Sequence, residues 1–503
     1  MSAALLLAAA ASAPPAWLRE LLRGADALVL GYFFALNGFY LLLLVCSVPE
    51  MRRHQRLLRE DHLPGLLSAD MLPALSILAP AYNEEVTIAA SVLSFLTLEY
   101  PRHEVVLIND GSTDRTLERL VEAYDLYEVP PAARGGIATK PARAHYRSRR
   151  YSRLLVIDKE NGGKADSLNA GLNAARHPYV LAVDADTLVE PDALLRLGRP
   201  FLAGEDVAAV AGTIRVVNAC EVAHGRVVRA HVARRLLPGV QAVEYLRAYL
   251  FGRLGWNRLG GNLIISGAFG VFRRDLVLAV GGYNASSVAE DMDLVVRLHR
   301  HLRERGLRAT MPFIPDPVAW TEVPAAAATL GRQRERWHRG LLATLWKYRG
   351  MLFNPRYGAI GFIAFPYYVF GEAIAPAVEL LGWLLLALGL AAGGVSGEFA
   401  VLFFAVAYGY GVLLSLLAVT LEELTFRRYA TLADVARLVL FALVEPLGYR
   451  QVTVWHRLRA FWHVLRGDHR WGAMPRAGFT AAPAAAPAAP ASAAPAPVAR
   501  RAA

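Results

Sequence analysis

The chain contains little cysteine and little charge for its length. Only 2 cysteines, Cys46 and Cys220, occur among 503 residues, which argues against a disulfide framework and indicates a reducing compartment. Charged residues make up 19% and hydrophobic residues 55%, a high apolar share for a soluble protein. The sequence also lacks a phosphate-binding P-loop and paired internal repeats. Their absence argues against a pore or transporter with a nucleotide-sensing domain.

The net charge of +11 is not arranged as a nucleic-acid-binding surface. No basic stripe is interleaved with stacking aromatic residues, so no nucleic-acid partner is predicted. The basic residues are instead expected to mark the cytoplasmic side of a membrane protein. Residues 130–153 are basic and contain no acid. This segment is interpreted as a solvated loop, with contact to anionic headgroups as the alternative.

The apolar residues collect near the N-terminus and after about residue 358. Residues 27–48, 374–395 and 399–421 are each about long enough to cross a bilayer. Residues 358–370 form a shorter run, interpreted as an interfacial helix or half of a kinked span. Residues 438–444 lead into a basic stretch and predict a short hairpin or an amphipathic interface helix. Three spans are therefore predicted, and the total reaches five if both short runs insert.

Basic residues follow the first and third predicted spans, at 52–56 and at 427–428. They predict a multi-pass protein of the cell (inner or plasma) membrane with its polar middle segment in the cytoplasm. The first 13 residues resemble a signal peptide, but they lack the positively charged residues with which signal peptides begin, so cleavage is not expected. Glu379, inside a predicted span, is expected either to face protein or a polar pore, or to snorkel.

The polar middle segment has the pattern of an α/β domain. Short apolar runs at 75–78, 105–108, 154–157 and 179–183 predict buried strands, and helical patterns separate them. This alternation predicts a mostly parallel, Rossmann-like sheet with its ligand at the carboxyl ends of the strands. The predicted division is an N-terminal segment with a membrane helix (1–50), a cytoplasmic linker (51–72), the α/β domain (73–350), membrane and interfacial helices (351–475) and a disordered Ala/Pro-rich tail (476–503).

Acids follow several of these predicted strands. Asp184 and Asp186 flank one small residue, and alternate carboxylates at a strand end can bind one hard cation, Mg²⁺ or Mn²⁺. Asp110 suits a hydrogen bond to a base or ribose edge, with a helix N-cap as the alternative. Lys164, after two glycines, is predicted to contact a diphosphate, with a surface lysine in a tight turn as the alternative.

Two later motifs complete the candidate site. Asp291 is the predicted general base, with Glu290 beside it as a second catalytic candidate or as an ordinary acid at a helix start. Gln333, Arg336 and Trp337 share one face of a predicted helix by their spacing. This face offers a guanidinium to a diphosphate and an indole to a sugar, and Arg334 adds charge. The alternative is an amphipathic helix at headgroup depth.

Together these motifs resemble the membrane-embedded, inverting family 2 glycosyltransferases of GT-A fold, which include the cellulose, hyaluronan and poly-N-acetylglucosamine synthases. The Gln-x-x-Arg-Trp motif at 333–337 is the most specific element, and residues 159–165 are most similar to the poly-N-acetylglucosamine branch. Asn109 and Ala289 depart from the pattern, standing where many relatives have Asp and Thr.

The resemblance implies a role for each motif. Asp110 would contact uridine, Asp184 and Asp186 the metal and diphosphate, and Asp291 the acceptor proton. Gln333, Arg336 and Trp337 would grip the diphosphate and frame the acceptor site. The further residues predicted to bind substrate are Pro80, Tyr82, Glu84 and Arg334.

The predicted function is metal-dependent polymerisation of a sugar from a UDP-sugar, with UDP-N-acetylglucosamine suggested by the resemblance alone. The polymer would be passed across the bilayer, with a separate export subunit as a possible partner. The alternative is transfer of one sugar to a lipid-linked acceptor, against which the Gln-x-x-Arg-Trp helix argues.

Overall fold

The computed structural model describes residues 15–60, 72–131, 136–202, 204, 206–391 and 397–466. The predictions of an uncleaved N-terminus and a disordered tail therefore lie outside the described residues. The strands are β1 (Leu75–Ala81), β2 (His103–Asn109), β3 (Leu126–Val129), β4 (Ala142–Ser148), β5 (Leu154–Lys159), β6 (Tyr179–Val183), β7 (Leu188–Val189), β8 (Ala209–Val216), β9 (Glu221–Ala223), β10 (Arg226–Arg229), β11 (Phe269–Arg273) and β12 (Phe313–Thr321).

The helices pack around this sheet and extend away from it. The α-helices are Ala16–Glu60, Ile88–Leu96, Thr116–Tyr124, Lys164–Ala174, Ala193–Leu202, Leu236–Leu246, Leu254–Leu259, Arg274–Ala279, Glu290–Glu304, Ala327–Lys347, Ala375–Ala391, Gly397–Phe404, Tyr410–Thr425, Leu432–Val444 and Tyr449–Leu465. π-helical turns occupy Arg247–Arg253, Ile360–Ala364, Tyr367–Ala373 and Ala405–Gly409, and short 3₁₀ turns occupy Arg349–Met351 and Pro355–Tyr357.

The centre of the fold is a ten-stranded mixed sheet with the order β3-β4-β5-β2-β1-β6-β11-β8-β12-β7. Its four central strands, β5, β2, β1 and β6, are mutually parallel. They contain the four predicted apolar runs and are buried almost throughout, because helices cover both faces of a parallel sheet. The predicted mostly parallel α/β sheet, typical of the GT-A fold, is confirmed.

The register of the central strands brings their carboxyl ends to one edge. Ala81 of β1 lies opposite Asn109 of β2, which lies opposite Asp158 of β5. The segments that follow these strands therefore emerge side by side, as the sequence predicted. β11 then pairs antiparallel with both β6 and β8, which extends the sheet beyond its parallel centre.

One sequence interpretation is wrong. Residues 130–153 do not form a loop throughout, because Ala142–Ser148 is a strand that pairs antiparallel with β3 and β5. Its two buried side chains are the polar His145 and Ser148, and the other positions are exposed or partly exposed, so it presents no apolar run. Backbone pairing with a strand on each side, and not side-chain hydrophobicity, determines this strand.

Within the part of the chain that the structure describes, two helical stretches are long and apolar enough to cross a membrane: Glu20–Arg56 and Val401–Thr425. A third candidate is the pair Ile360–Ala373 and Ala375–Leu390, which is bent by 44° and forms a broken span or a re-entrant loop. The first ten residues of the predicted linker, 51–60, continue the N-terminal helix. The protein is membrane-associated on this evidence.

The membrane helices contact the sheet domain closely. Gly255 lies against the first span, where a Cβ would come within 2.3 Å of the carbonyl oxygen of Leu43, so the two backbones approach without a side chain between them. A second apolar cluster joins Val216 and Trp320 of the sheet to Ala418 and Phe441 of the C-terminal helices. The site is therefore assembled between the sheet and the membrane helices.

Candidate active site

A cavity of about 1620 Å³ opens at the carboxyl ends of the central strands and continues between the membrane helices. Residues from motifs as far apart in sequence as Pro80 and Trp337 share this one space. Every residue predicted for the site lines it: Pro80, Tyr82, Glu84, Asp110, Lys164, Asp184, Asp186, Glu290, Asp291, Gln333, Arg334, Arg336 and Trp337. The structure thus brings all of the predicted site residues together, and their individual roles remain predictions.

Lys164 links two groups of acids in the cavity. It begins the helix Lys164–Ala174 after Gly163, whose φ of 85° suits a residue without a Cβ. Its Nζ lies 2.5 Å from Asp184 Oδ1 and 3.3 Å from Glu290 Oε1, and donates to the Gly267 carbonyl at 3.1 Å. Burial lowers the pKa of Lys164, but these acids outweigh it and raise the pKa above its ordinary value. The surface-lysine alternative is wrong.

Asp291 is held at the first turn of the helix Glu290–Glu304. Its Oδ2 accepts from the Gly267 amide at 2.9 Å, and its Oδ1 accepts from the Met292 amide at 2.7 Å. Two backbone donors therefore fix the orientation of the carboxylate, as a general base requires. Burial raises the pKa of the neighbouring Glu290, and Lys164 opposes that shift.

Asp293, on the same helix, has a structural role. Its carboxylate pairs with Arg297 at 2.6 Å and with Lys347 at 2.8 Å, and accepts from the Tyr348 hydroxyl at 3.1 Å. These contacts tie the helix to the C-terminal end of Ala327–Lys347. Of the three acids at this helix start, only Glu290 and Asp291 line the cavity.

Asp184 and Asp186 follow β6 directly and both line the cavity. Asp186 is 2% exposed, whereas the Asp184 side chain is 31% exposed and contacts Lys164. Among the described residues, no group of three or more His, Cys, Asp or Glu side chains surrounds a common metal position. Two carboxylates fit Mg²⁺ or Mn²⁺ in a site that takes its other ligands from water and phosphate.

Asp110 stabilises the glycine turn before Lys164. Its Oδ1 accepts from Lys159 Nζ at 2.8 Å and from the Gly162 amide at 3.0 Å, and its Oδ2 accepts from the Gly163 amide at 2.8 Å. A carboxylate has about four acceptor positions, so one remains for a nucleoside donor. The N-cap alternative for Asp110 is wrong, because Asp114 accepts from the Thr116 amide at that helix start.

The segment after β1 forms the edge of the cavity beside Asp110. Pro80 lies in β1, Tyr82 is 50% exposed, and Glu84 Oε2 accepts from the Thr87 hydroxyl at 2.9 Å. The Asn83 side chain accepts from the Thr113 amide at 2.8 Å, which ties this segment to the loop after β2. Tyr82 therefore offers an exposed ring beside the predicted nucleotide position.

The helix Ala327–Lys347 carries the Gln-x-x-Arg-Trp motif into the cavity. Gln333 and Arg334 are buried, whereas Trp337 remains 43% exposed. Arg336 lines the same cavity as Glu290, and its charge opposes the rise that burial causes in the pKa of Glu290. This places the motif next to the acids around Lys164, as its predicted roles require.

The sequence interpretation missed the charged wall of the cavity, which the C-terminal helices form together with Arg247 of the π-helical turn Arg247–Arg253. Glu379 is 8% exposed and pairs with Arg450 at 3.0 Å, so it faces protein and does not snorkel. This wall contains two further pairs, Arg247–Glu445, at 2.8 Å between Nη2 and Oε1, and Arg457–Glu372, at 3.3 Å. The one available signal was the presence of acids within apolar segments.

Comparison with known proteins identifies the family. Residues 76–280 match the family model described as Glycosyl transferase family 2, and residues 179–421 match the one described as Glycosyl transferase family group 2. The sheet, the strand-end acids and these matches define a glycosyltransferase. The chain belongs to the family 2 glycosyltransferases, and the predicted resemblance is confirmed.

Its relatives include the poly-beta-1,6-N-acetyl-D-glucosamine synthase of Staphylococcus aureus strain COL, 28% identical over 277 residues, which are 54% of this chain and 56% of that protein. The synthase of Staphylococcus epidermidis is 27% identical over 277 residues, which are again 54% of this chain and 56% of that protein. The match therefore spans about half the length of these curated relatives.

Among solved structures, a Pyrobaculum calidifontis mannosyltransferase in complex with GDP-Man and Mn²⁺ is 20% identical, with a TM-score of 0.45. The alignment covers 84% of this chain and 99% of that one. Staphylococcus aureus TarS 1–349 in complex with UDP-GlcNAc is 15% identical, with a TM-score of 0.37 and coverage of 79% and 93%.

Proposed function

We propose that this enzyme polymerises a sugar from a UDP-sugar, with UDP-N-acetylglucosamine as donor, and passes the product into the membrane. The observation that carries the proposal is the cavity itself, which runs from Asp291 to the charged wall of the membrane helices. The catalytic domain would lie in the cytoplasm, because the basic residues at 52–56 and 427–428, which follow predicted spans, favour the cytoplasmic side of the membrane. The donor sugar is inferred from the similarity to the poly-beta-1,6-N-acetyl-D-glucosamine synthases.

The chemistry is a single in-line displacement at the anomeric carbon. The acceptor hydroxyl oxygen forms the new bond, the bond to UDP breaks, and Asp291 takes the hydroxyl proton, so the configuration inverts. Asp184 and Asp186 would hold Mg²⁺ or Mn²⁺, which when bound neutralises charge on the departing diphosphate. Lys164 and Arg336 supply further positive charge, and Asp110 is assigned to the uridine. Most of the acceleration then comes from positioning and electrostatics.

The charged wall favours a carbohydrate product over a lipid acceptor. The deep part of the cavity is lined by Glu372, Glu379 and Glu445 with their arginine partners, and by the aromatic rings of Trp256 and Tyr368. Hydroxyl groups can hydrogen-bond to such charged groups, whereas an acyl chain would leave them desolvated. The aromatic rings offer flat apolar faces to sugar rings.

The test is a donor screen on purified enzyme in detergent, with a divalent metal present. UDP release is measured for a panel of UDP-sugars, and the product is sized by mass spectrometry. We expect release from UDP-N-acetylglucosamine and a ladder of products. One-residue products would exclude a polymerase and favour the lipid-acceptor alternative, and no release from any UDP-sugar would overturn the proposal.

A further inference from the structure

Trp337 packs against a partly buried hydrogen-bond network. Arg334 lies three residues earlier on the same helix face, and its guanidinium carbon lies 4.5 Å from the Trp337 ring centroid. Arg334 Nη2 donates to Glu244 Oε2 at 2.6 Å and to the Tyr449 hydroxyl at 3.0 Å. The Tyr449 hydroxyl donates in turn to the same Glu244 oxygen at 2.6 Å. Each of the three side chains thus contacts the other two.

The network joins three separate elements beside the cavity. Glu244 belongs to the helix Leu236–Leu246, and Tyr449 is the first residue of the helix Tyr449–Leu465. The residue Arg334 is 6% exposed, so the donors that bind Glu244 and Tyr449 are committed within the protein. Trp337, by contrast, is 43% exposed and lines the cavity.

We propose that Glu244 and Tyr449 are positioning residues that hold Arg334 against one face of Trp337 and so keep the other face turned to the acceptor sugar. This inference rests on the proposed function. Arg334 then acts through Trp337 and not directly on the substrate, which departs from its predicted role in substrate binding. An indole packed against a fixed guanidinium loses the freedom to change rotamer, so the acceptor meets a preorganised surface.

The test uses Glu244→Gln and Tyr449→Phe in the full-length enzyme. The donor is UDP-N-acetylglucosamine, and the acceptor probe is a β-1,6-linked N-acetylglucosamine trimer. For each variant, we measure the donor KM, the acceptor KM, kcat and the length of the product. Each variant should raise the acceptor KM about tenfold, because a hydrogen bond to a charged group is lost. Products should be shorter, and the donor KM should stay unchanged. Arg334→Lys should retain more acceptor affinity than Arg334→Met.

The matched control is Arg437→Gln. Arg437 pairs with Asp434 at 2.6 Å on the helix Leu432–Val444, which packs against the helix of Glu244, but Arg437 does not line the cavity. This control should leave both KM values unchanged. An unchanged acceptor KM in folded Glu244→Gln and Tyr449→Phe would overturn the inference, as would equal losses at donor and acceptor. One-residue products from the unaltered enzyme would contradict the proposed polymerisation but not this inference. The acceptor KM of the variants would still show whether the network positions Trp337.

Discussion

The two ends of the cavity carry charge in different ways. At the sheet end, the carboxylates of Asp184, Asp186, Glu290 and Asp291 line the space with Lys164 between two of them. Acids exceed cations there, and burial raises the pKa of Glu290. Such an imbalance is costly unless a ligand or metal ion brings positive charge.

At the membrane end, each glutamate has its own arginine. Glu372 pairs with Arg457, Glu379 with Arg450, and Glu445 with Arg247. This end is polar and balanced in charge, so it needs no ion to complete it. The difference is consistent with the proposed function, in which the chemistry takes place at the sheet end and a neutral chain passes through the membrane end. Four predictions test this division.

The largest expected effect is at Asp291. Asp291→Asn should lower UDP release by about 10²- to 10⁴-fold, because the acceptor proton loses its base. The measurement is turnover of UDP-N-acetylglucosamine by purified enzyme. Asp275→Asn is the control, since Asp275 also accepts from the amide of the next residue, at 2.8 Å, but does not line the cavity. Turnover near that of the unaltered enzyme in Asp291→Asn would show that the base lies elsewhere.

Removal of divalent metal should have the next largest effect. A chelator should reduce turnover about a hundredfold, and Mn²⁺ or Mg²⁺ should restore it. Asp186→Asn should weaken Mn²⁺ binding in the presence of UDP, measured by electron paramagnetic resonance independently of activity. The same substitution at Asp192, which pairs with Arg196 and does not line the cavity, should leave Mn²⁺ binding unchanged. Full activity after chelation would contradict a metal-dependent sheet end.

At the membrane end, a broken ion pair should affect stability more than chemistry. Glu445→Gln leaves Arg247, whose side chain is 27% exposed, without its counter-charge and should cost about 2 kcal/mol of unfolding free energy. The thermal midpoint in detergent reports this loss. Glu122→Gln, which breaks an exposed pair with Arg115, should cost less than about 0.5 kcal/mol. Equal midpoints in the two variants would argue against a buried, balanced wall.

The smallest effect concerns His338, which lies between the two ends and accepts from Arg457 Nε at 3.3 Å. Burial, with a contribution from Arg457, lowers its pKa to about 3 from 6.5. The unfolded chain therefore binds more protons between these values, so stability falls as pH decreases from 6.5 towards 3. The slope is at most about 1.4 kcal/mol per pH unit. Thermal midpoints of His338→Gln should depend less on pH over this window, and an unchanged dependence would contradict the shift.

The sheet end was predictable because its signals are local. An apolar run predicts each central strand, and the parallel arrangement then places Asp110 and Asp184 at one edge. Asp291 and Trp337 were assigned from their own motifs and meet this edge in the structure. Each of these inferences needs only a short stretch of sequence.

The membrane end could not be predicted in the same way. Arg247 and Glu445 are 198 residues apart, and no local sequence pattern around either residue predicts that they form an ion pair. The strand Ala142–Ser148 was missed for a related reason, since backbone pairing with distant strands determines it. Glu244 likewise acquires its contacts only when the helix Tyr449–Leu465 is in place.

The walls of the cavity come from opposite parts of the chain. Leu36 and Tyr40 of the first span form one side, and Tyr449 and Arg457 form another. During translation, a nascent chain that has not reached Tyr449 already contains every acid of the sheet end, yet it lacks the last wall. The cavity is therefore complete only after the C-terminal helix Tyr449–Leu465 has been synthesised and has packed against the rest of the chain.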